Sequence, residues 1–227
     1  MNVVRYLKEL RFGLFYQLLT RKGVPLVTLG DVNQWTLHDA GLNSSSRVLC
    51  AGAGHDISFE RTLITRYGCK VVLLDPSPTG TTTVREENIP PNQLQFMAAG
   101  LAGEDGVLSF QDPENAVEGS FREGPAGSAG ALQFECKSLS TLMAELKWPQ
   151  IDLLKIDIEG FEYGVIQDLL RRNLKVRQIC VEFHYAAGFG HTRMEMIRCI
   201  LALRKAAYDL VHHVYQDHTF LHRSCTK

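Results

Sequence analysis

Gly52 and Gly54 follow the short apolar run Ser45–Leu49, at a point where the chain must turn sharply. Because a glycine has no Cβ, a bound cofactor can approach the backbone amides of such a turn closely. About twenty residues later a second apolar run ends at Asp75, where a carboxylate can accept hydrogen bonds from both hydroxyls of a ribose. This spacing predicts a site for a cofactor that contains adenosine. The structural alternative is that the glycines only turn the chain and that Asp75 caps the next helix.

Three acidic residues and a histidine stand at the ends of two later apolar runs. Asp157 and Glu159 follow Ile151–Ile156, and Glu182 and His184 close the next run. Because alternate residues of a strand point to one face, Asp157 and Glu159 can both face a cleft. Histidine has an ordinary pKa of about 6.5, which suits proton removal from a reacting hydroxyl, so His184 is predicted to be a general base and Asp157 its orienting partner. The alternatives are acids that cap helices and a structural histidine hydrogen-bonded within the sheet.

The same side chains could instead hold a divalent metal. Oxygen-rich sites for Mg²⁺ or Mn²⁺ have no fixed sequence spacing, so a metal is possible but the sequence does not support one. The predicted site therefore contains no metal, and the candidate ligands would be Asp157, Glu159, Glu182 and His184. The six cysteines are scattered without a Cys-x-x-Cys pair, which favours free thiols in a reducing compartment over a zinc site or a disulfide framework.

The turn around Gly52 and Gly54 differs from sites that bind phosphate-containing cofactors. A dinucleotide fingerprint has a third glycine three residues after the second, and Ile57 occupies that position here. No tyrosine is followed four residues later by the lysine that short-chain dehydrogenases require, and there is no Gly-x-x-x-x-Gly-Lys phosphate loop. These absences favour an adenosine cofactor without phosphates. A nicotinamide-dependent (NAD(P)) oxidoreductase is the less favoured alternative.

Apolar runs typical of strands alternate with segments of helical spacing along most of the chain. This alternation, with antiparallel strands only at the end, predicts an α/β fold with a doubly wound, mostly parallel, seven-stranded sheet and an antiparallel C-terminal hairpin. The predicted strands are Ser45–Leu49, Cys69–Leu74, Leu94–Ala98, Leu132–Cys136, Ile151–Ile156 and Val176–Phe183, followed by the hairpin of Tyr208–Val214 and Thr219–His222. The predicted helices are Ile57–Tyr67, Thr79–Asn88, Ser138–Leu146, Phe161–Arg172 and Thr192–Ala206. Residues 112–130, rich in glycine, are predicted to form a long loop, either a lid or an unstructured connection.

The N-terminal segment is predicted to be a helical extension of residues 1–34, with the main domain at residues 35–227. Apolar residues of Met1–Thr20 recur with helical spacing and are interrupted by charges, unlike a signal peptide. This helix either packs on the domain or contacts a membrane or a partner. The 24 basic and 25 acidic residues balance, and no apolar run is long enough to span a membrane. We therefore expect no nucleic-acid partner, no stable membrane insertion and a cytoplasmic location.

Four segments, in order along the chain, resemble the motifs of FkbM-type methyltransferases: Ala51–Glu60, Leu73–Pro78, Leu153–Tyr163 and Val181–His184. The similarity extends from about Trp35 to the C-terminus. It implies a Rossmann-like class I methyltransferase fold and S-adenosylmethionine as the methyl donor. Several members of the family methylate hydroxyls of sugars or polyketide-type products. The resemblance therefore also implies an O-methyltransferase with a small-molecule or sugar acceptor.

The resemblance assigns roles to individual residues around the donor. It implies that the ribose is held by Asp75 and that the adenine lies beside Ala99 and Gly100. It implies that the methionine end is lined by Gly52, Gly54 and Asp56. At one position the chain departs from the pattern, because methyltransferases often carry an acid two residues before the first glycine and Cys50 stands there. A thiol cannot bind the methionine ammonium group as a carboxylate does. Either Asp56 or Asp157 takes that role, or the affinity for the cofactor is reduced. Cys50 also supports the alternative that the chain is a non-catalytic, methyltransferase-like binding module.

Overall fold

The structure, a computed structural model, describes residues 12–111, 122–123, 132–186 and 189–225. The strands are β1 (Val27–Leu29), β2 (Trp35–Leu37), β3 (Arg47–Ala51), β4 (Lys70–Leu74), β5 (Leu94–Met97), β6 (Gly100–Ala102), β7 (Gly106–Gln111), β8 (Arg122–Glu123), β9 (Leu132–Ser138), β10 (Leu153–Ile156), β11 (Gln178–Glu182), β12 (Tyr208–Val214) and β13 (Asp217–His222). The helices are α1 (residues 12–19), α2 (Ser58–Tyr67), α3 (Pro78–Glu87), α4 (Leu139–Glu145), α5 (Glu162–Arg171) and α6 (Arg193–Lys205).

The central sheet has seven strands in the order β12-β13-β11-β10-β3-β4-β5. The strands from β11 to β5 run parallel to one another, whereas β13 pairs antiparallel with both β11 and β12. The predicted doubly wound, mostly parallel sheet with an antiparallel C-terminal hairpin is therefore confirmed. The strand order reverses between β3 and β10, and open α/β sheets bind ligands beside such a switch point.

Alternate residues of the central strands enter two apolar cores on opposite faces of the sheet. Leu49 and Ala51 belong to the core that contains residues of α4, α5 and α6. Val48 and Cys50 belong to the core that contains residues of α2, β1 and β2. Because both faces are covered, these strands carry apolar residues at consecutive positions, as in residues 48–51, rather than at alternate positions.

Two details of the predicted sheet are wrong. The first strand is Arg47–Ala51 rather than Ser45–Leu49, so it extends to the edge of the sheet and leads directly into Gly52. Antiparallel pairing is not confined to the C-terminal end, because β1 pairs with β2 and because β7 pairs with β8 and β9 in a separate sheet of order β6-β9-β7-β8. The first residues of β9 alternate between half-buried and exposed, which suits a sheet with one solvated face and not the doubly covered central sheet.

The predicted loop at Asp112–Gly130 lies mostly outside the described residues. Only Arg122–Glu123 of this segment is described, and it forms strand β8, paired with β7. The choice between a lid and an unstructured connection for the rest of the segment stays a prediction.

The described part of the N-terminal helix, α1, packs on the domain. Tyr16 is buried in the core with α4, α5 and α6, and its hydroxyl oxygen lies 2.6 Å from Nε2 of His218. Leu14 and Leu18 are exposed on the same helix. The packed alternative is therefore favoured for residues 12–19, while the predicted boundary at residue 34 stays a prediction. Among the residues that the structure describes, no helix combines the length and the apolar character needed to cross a bilayer.

Candidate functional site

A cleft opens at the carboxyl edge of the central sheet, where β3, β4, β10 and β11 end. This is the edge at the switch point between β3 and β10. One part of the cleft is formed by the glycine turn after β3 and by Asp75 after β4. Another part is formed by the polar residues that follow β10 and β11. The residues that line the cleft include Gly52, Gly54, Asp75, Ser77, Gly100, Leu101, Phe110, Lys155, Asp157, Glu159, Phe161, Glu182 and His184.

Gly52 and Gly54 meet different requirements in the turn after β3. Gly52 has a φ of 92°, and a Cβ there would overlap the backbone oxygen of Asp157, so only glycine lets the ends of β3 and β10 approach this closely. Gly54 has a φ of 50°, but a Cβ there would meet no atom within 4 Å. Gly54 lines the cleft, so the space beside it is open to a ligand. Glycine is therefore needed for packing at the first position and leaves room for a ligand at the second.

The carboxylate of Asp75 holds this glycine turn in place. Its Oδ2 accepts hydrogen bonds from the amides of Ala53 and Gly54, at 2.8 and 3.2 Å. Its Oδ1 accepts hydrogen bonds from the amide and the hydroxyl of Ser77, at 2.8 and 2.6 Å. A carboxylate has about four lone-pair sites, so protein donors already occupy all of them. A ribose hydroxyl must therefore share an oxygen with these donors or displace the longest bond, that from Gly54.

Asp56 does not line the cleft, which corrects its predicted place at the methionine end. Its carboxylate accepts hydrogen bonds from the amide of Asn33 at 2.9 Å and from the amide and hydroxyl of Ser58 at 2.9 and 2.8 Å. Partial burial by itself would raise the pKa of Asp56, but these hydrogen bonds and the charge of Arg61 hold it below its ordinary value. The side chain therefore anchors the loop before β2 to the start of α2.

Of the two residues predicted to lie beside the adenine, only one lines the cleft. Gly100 lines the cleft, whereas Ala99 is buried and is not a lining residue. Leu101 and Phe110 also line the cleft, and the ring of Phe110 lies 5.2 Å from the ring of Phe161. These side chains form an apolar part of the cleft that suits the flat face of a base. Phe110 and Phe161 were not predicted as site residues.

His184 is buried at the centre of a group of carboxylates, with 5% of its surface exposed. Its Nδ1 lies 2.6 Å from Oε1 of Glu162 and donates to that carboxylate. Its Nε2 faces three further carboxylate oxygens, at 3.6 Å from Glu159, 3.7 Å from Glu182 and 3.9 Å from Asp157. We call these four acids around His184 the acidic cluster. The orienting partner of His184 is Glu162 rather than Asp157, because Asp157 is too distant for a hydrogen bond.

Glu162, the first residue of α5, also fixes the turn that carries two of these acids. Its carboxylate accepts hydrogen bonds from the amides of Ile158 and Gly160, at 3.3 and 3.1 Å. Strand β10 ends before Asp157, so Asp157 and Glu159 lie in a turn and not on a strand as predicted. Glu159 has a φ of 55°, a left-handed conformation that costs a non-glycine residue about 1 kcal/mol. This turn, rather than strand alternation, brings both carboxylates to the cleft.

Crowding of the carboxylates shifts the pKa of the groups around His184. Burial by itself would lower the pKa of His184, but the hydrogen bond to Glu162 and the surrounding negative charges raise it to about 9. Burial and the charge of Asp157 raise the pKa of Glu182 to about 8 and that of Asp217 to about 6. These neighbours favour the protonated form of His184 over the neutral base that was predicted from the sequence.

Lys155 is a buried cation beside the acidic cluster. Its Nζ donates a hydrogen bond to the carbonyl oxygen of Gly52 at 2.6 Å and lies 3.7 Å from Oδ2 of Asp157. Burial by itself would lower the pKa of Lys155, but the charges of Asp157 and Glu60 hold it above its ordinary value. Lys155 therefore ties the glycine turn to the acidic turn and offsets part of the negative charge.

Lys155 and Glu162 were not predicted as site residues, although each carries a signal. A lysine inside the apolar run Ile151–Ile156 is unusual, because a strand covered on both faces rarely buries a charge without a partner. A glutamate directly after Gly160-Phe161 stands in the first turn of a predicted helix, where it can bind free backbone amides.

Cys50 does not line the cleft, although it occupies the position of an acid in many methyltransferases. Its side chain is fully buried in the core with α2, β1 and β2, and burial together with the charge of Glu60 raises the pKa of its thiol well above its ordinary value. The thiol of Cys50 therefore makes no direct contact with a ligand in the cleft.

Among curated protein sequences, none matches the chain. Three similar solved structures are the N-terminal domain of human METTL16 in complex with SAH, a putative methyltransferase from Streptococcus mutans in complex with SAH, and the fibrillarin pre-rRNA processing protein of Methanococcus jannaschii. Their sequence identities are 12%, 11% and 10%, and their TM-scores are 0.44, 0.43 and 0.44.

The aligned region covers most of this chain in each comparison. It includes 81%, 79% and 79% of this chain, and 64%, 88% and 67% of the METTL16, Streptococcus and Methanococcus chains. This chain thus spans less than two thirds of the METTL16 domain. These structural likenesses are distant, and the assignment of the family depends on the sequence. Residues 40–210 match the methyltransferase FkbM domain, which is most of the 227 residues. The chain therefore belongs to the FkbM methyltransferases, a family of S-adenosylmethionine-dependent enzymes.

Proposed function

We propose that this protein is an S-adenosylmethionine-dependent O-methyltransferase that acts on a hydroxyl of a small molecule or a sugar. The observation that carries the proposal is one cleft lined both by the glycine turn with Asp75 and by the acidic cluster around His184. The first part suits an adenosine cofactor without phosphates. The second part suits an acceptor that must lose a proton, which an alcohol does when its oxygen is methylated.

The residues of the cleft fit S-adenosylmethionine. Gly54 leaves open space beside the turn, and the apolar side chains of Leu101 and Phe110 suit the adenine. The carboxylate of Asp157 suits the methionine ammonium group. When bound, S-adenosylmethionine supplies a methyl group to the acceptor oxygen, and the electron pair of the broken carbon–sulfur bond stays on sulfur.

The chain itself orients the acceptor and receives its proton. His184 donates from Nε2 toward the cleft, because its Nδ1 is held by Glu162 and its imidazole is protonated. An acceptor oxygen bound to Nε2 lies close to the Glu159 carboxylate, which is 3.6 Å from that nitrogen and takes the hydroxyl proton. Much of the remaining acceleration would come from holding the oxygen in line with the methyl group.

Calorimetric titration with S-adenosylhomocysteine tests the cofactor part of the proposal. A Cβ at Gly54 would occupy the open space of the cleft, so Gly54→Ala should weaken binding about tenfold or more. Gly23→Ala is the matched control, because Gly23 also has a positive φ, of 78°, and open space around it, but it is not a lining residue of the cleft. It should bind with the affinity of the wild type. If wild-type protein binds no S-adenosylhomocysteine, the proposed function is wrong.

A product analysis tests the acceptor part. The protein is incubated with ¹³C-methyl-labelled S-adenosylmethionine and a panel of sugars and small hydroxylated compounds, and the products are examined by NMR. The expected product carries the labelled methyl group on oxygen. Label found only on nitrogen or sulfur of amine or thiol compounds added to the same panel would contradict an O-methyltransferase and leave the methyl donor in place.

A further inference from the structure

The Nε2 atom of His184 has no partner at hydrogen-bond distance. His184 has 5% of its surface exposed and is one of the residues that line the cleft. The nearest acidic oxygens around Nε2 lie at 3.6 to 3.9 Å, beyond the 2.7 to 3.2 Å that is typical of a nitrogen–oxygen hydrogen bond. Nε2 thus faces three carboxylates at ion-pair distance and forms a hydrogen bond with none of them, which points to a ligand that is bound between them.

The distances suit a cation placed between three of these side chains. Nε2 of His184 and one oxygen each of Asp157 and Glu182 lie within 4.8 Å of one another. Two ligands of one divalent ion, each about 2.1 to 2.3 Å from it, are separated by roughly 3 Å at a right angle and by up to about 4.6 Å on opposite sides. The 3.7 and 3.9 Å separations from Nε2 fall inside this range. A small closure of the Asp157 and Glu182 side chains would complete the set.

The Nδ1 atom of His184 is held by a carboxylate, as the second ring nitrogen of metal-binding histidines usually is. Nδ1 donates a hydrogen bond to Glu162, whose side chain is fully buried and also accepts a hydrogen bond from the amide of Gly160. A carboxylate in this position fixes the ring orientation and makes the other nitrogen a better ligand. Glu162 thus aims Nε2 at the centre of the three candidate ligands.

From this geometry we propose that Asp157, Glu182 and His184 bind a divalent cation with mixed oxygen and nitrogen preference, for which Mn²⁺ is the probe. Three protein ligands leave coordination positions open toward the cleft. Resting on the proposed methyl transfer, the cation would displace the proton of His184 Nε2 and would hold the acceptor oxygen, in place of that N–H group, in one of these positions. A coordinated hydroxyl loses its proton more easily, and Glu159 at 3.6 Å from Nε2 would receive that proton.

Lys155 and Asp217 set the charge around the proposed ion. Lys155 Nζ lies 3.7 Å from Oδ2 of Asp157, whereas the Asp157 oxygen nearest to His184 is Oδ1. Oδ1 of Asp157 can therefore bind the ion, while Oδ2 stays available to Lys155 and to the methionine ammonium group of the proposed cofactor. Asp217 is a half-buried acid that interacts with Asp157 and His184 by charge and is not among the candidate ligands. It provides a control for purely electrostatic effects.

The test is titration of the metal-free 227-residue chain with Mn²⁺. Calorimetry measures the affinity and the stoichiometry, and electron paramagnetic resonance identifies the ligands of the bound ion. The wild type should bind one Mn²⁺ per chain, and electron spin echo modulation should show one imidazole nitrogen bound to it. His184→Gln should abolish the nitrogen signal, and Glu182→Gln should weaken binding at least tenfold. Asp217→Asn, which removes a neighbouring charge but no ligand, should stay within about threefold of the wild type.

Binding of S-adenosylhomocysteine is measured on the same samples, so that two failures can be separated. If the cofactor binds and Mn²⁺ does not, or if Mn²⁺ binds without an imidazole nitrogen, the metal inference is overturned and the proposed function stands. If Glu182→Gln and Asp217→Asn weaken Mn²⁺ binding equally, the cluster attracts cations by charge only, and the inference is likewise overturned. If the cofactor does not bind to the wild type, the proposed function itself fails.

Discussion

His184 and His218 are both buried near the same end of the central sheet, yet their surroundings differ. His184 gives one ring nitrogen to Glu162 and turns the other toward three carboxylates. His218 is bonded at both nitrogens to uncharged groups, the carbonyl oxygen of Gln216 at 2.7 Å and the hydroxyl of Tyr16 at 2.6 Å. The pKa of His184 is raised to about 9, whereas burial and the neighbouring histidines lower that of His218 to about 4.

The comparison shows that burial of a histidine does not by itself indicate function. His218 is satisfied as a neutral ring and belongs to the core that anchors α1. His184 has an unsatisfied nitrogen, several charged neighbours and a place in the cleft. A titratable group with a specific set of charged partners in a cleft is a stronger indication of chemistry than a buried group alone. Four predictions test this distinction.

The largest effect is expected when the two histidines are replaced in parallel. His184→Gln should lower the rate of methyl transfer by about 100-fold or more, because the acceptor oxygen loses its orienting group. Its affinity for S-adenosylhomocysteine should stay within about threefold of the wild type. His218→Gln should leave the rate per folded molecule within about threefold. Equal rate losses in the two variants would remove the distinction between them.

The second prediction concerns the pH dependence of stability at His218. The group has a pKa of about 4 in the folded protein and about 6.5 when unfolded, so the unfolded state binds more protons between these values. The stabilisation is therefore complete above about pH 6.5 and is lost as the pH falls, by about 2 kcal/mol between pH 7 and pH 5. His218→Gln should lack this component. Urea denaturation of the wild type and His218→Gln at both pH values measures the change in unfolding free energy between pH 7 and pH 5. An equal change in the two proteins would contradict the lowered pKa of His218.

Asp75 resembles each histidine in one respect. Like His184 it lines the cleft, and like His218 its polar atoms are already hydrogen-bonded to the protein. Asp75→Ala should weaken S-adenosylhomocysteine binding by roughly tenfold or more, since it removes a charged acceptor and frees the amides of Ala53 and Gly54. The variant should also unfold at lower urea concentration. Calorimetric titration on folded protein gives the affinity, and an unchanged value would mean that the cofactor is placed wrongly.

The smallest effect is expected for Tyr16→Phe. This change removes the donor to Nε2 of His218 and should cost about 1 kcal/mol of unfolding free energy. With its acceptor nitrogen free, His218 should also take up a proton more easily. NMR titration of the His218 ring should therefore give a higher pKa than in the wild type. A lower pKa would show that the tyrosine does not hold the ring in its neutral form.

Features of the fold that repeat along the chain could be predicted from the sequence. The central strands were recognisable because burial on both faces gives them runs of consecutive apolar residues, as in residues 71–74. The glycine turn and Asp75 were recognisable because they directly follow such strands. The second sheet was missed because its strands are short or half exposed, and because its pairing joins β6 to β9 across more than thirty residues.

The parts of the site that depend on distant contacts could not be predicted in this way. Glu162 meets His184 across 22 positions of sequence, and only the tertiary fold brings the start of α5 beside the residues that follow β11. Asp56 looked like a cleft residue, but its carboxylate is bonded locally to Ser58, two positions along the chain. Such local hydrogen bonds are common for an aspartate before a helix, and here they turn the carboxylate of Asp56 away from its predicted position at the cofactor.

A structure of the protein with bound S-adenosylhomocysteine tests the central claim most directly. The account predicts that the sulfur lies in the cleft beside Gly52 and Gly54 and faces the acidic cluster around His184, with the adenine against Leu101 and Phe110. A cofactor bound outside this cleft, or with its sulfur turned away from His184, would contradict it.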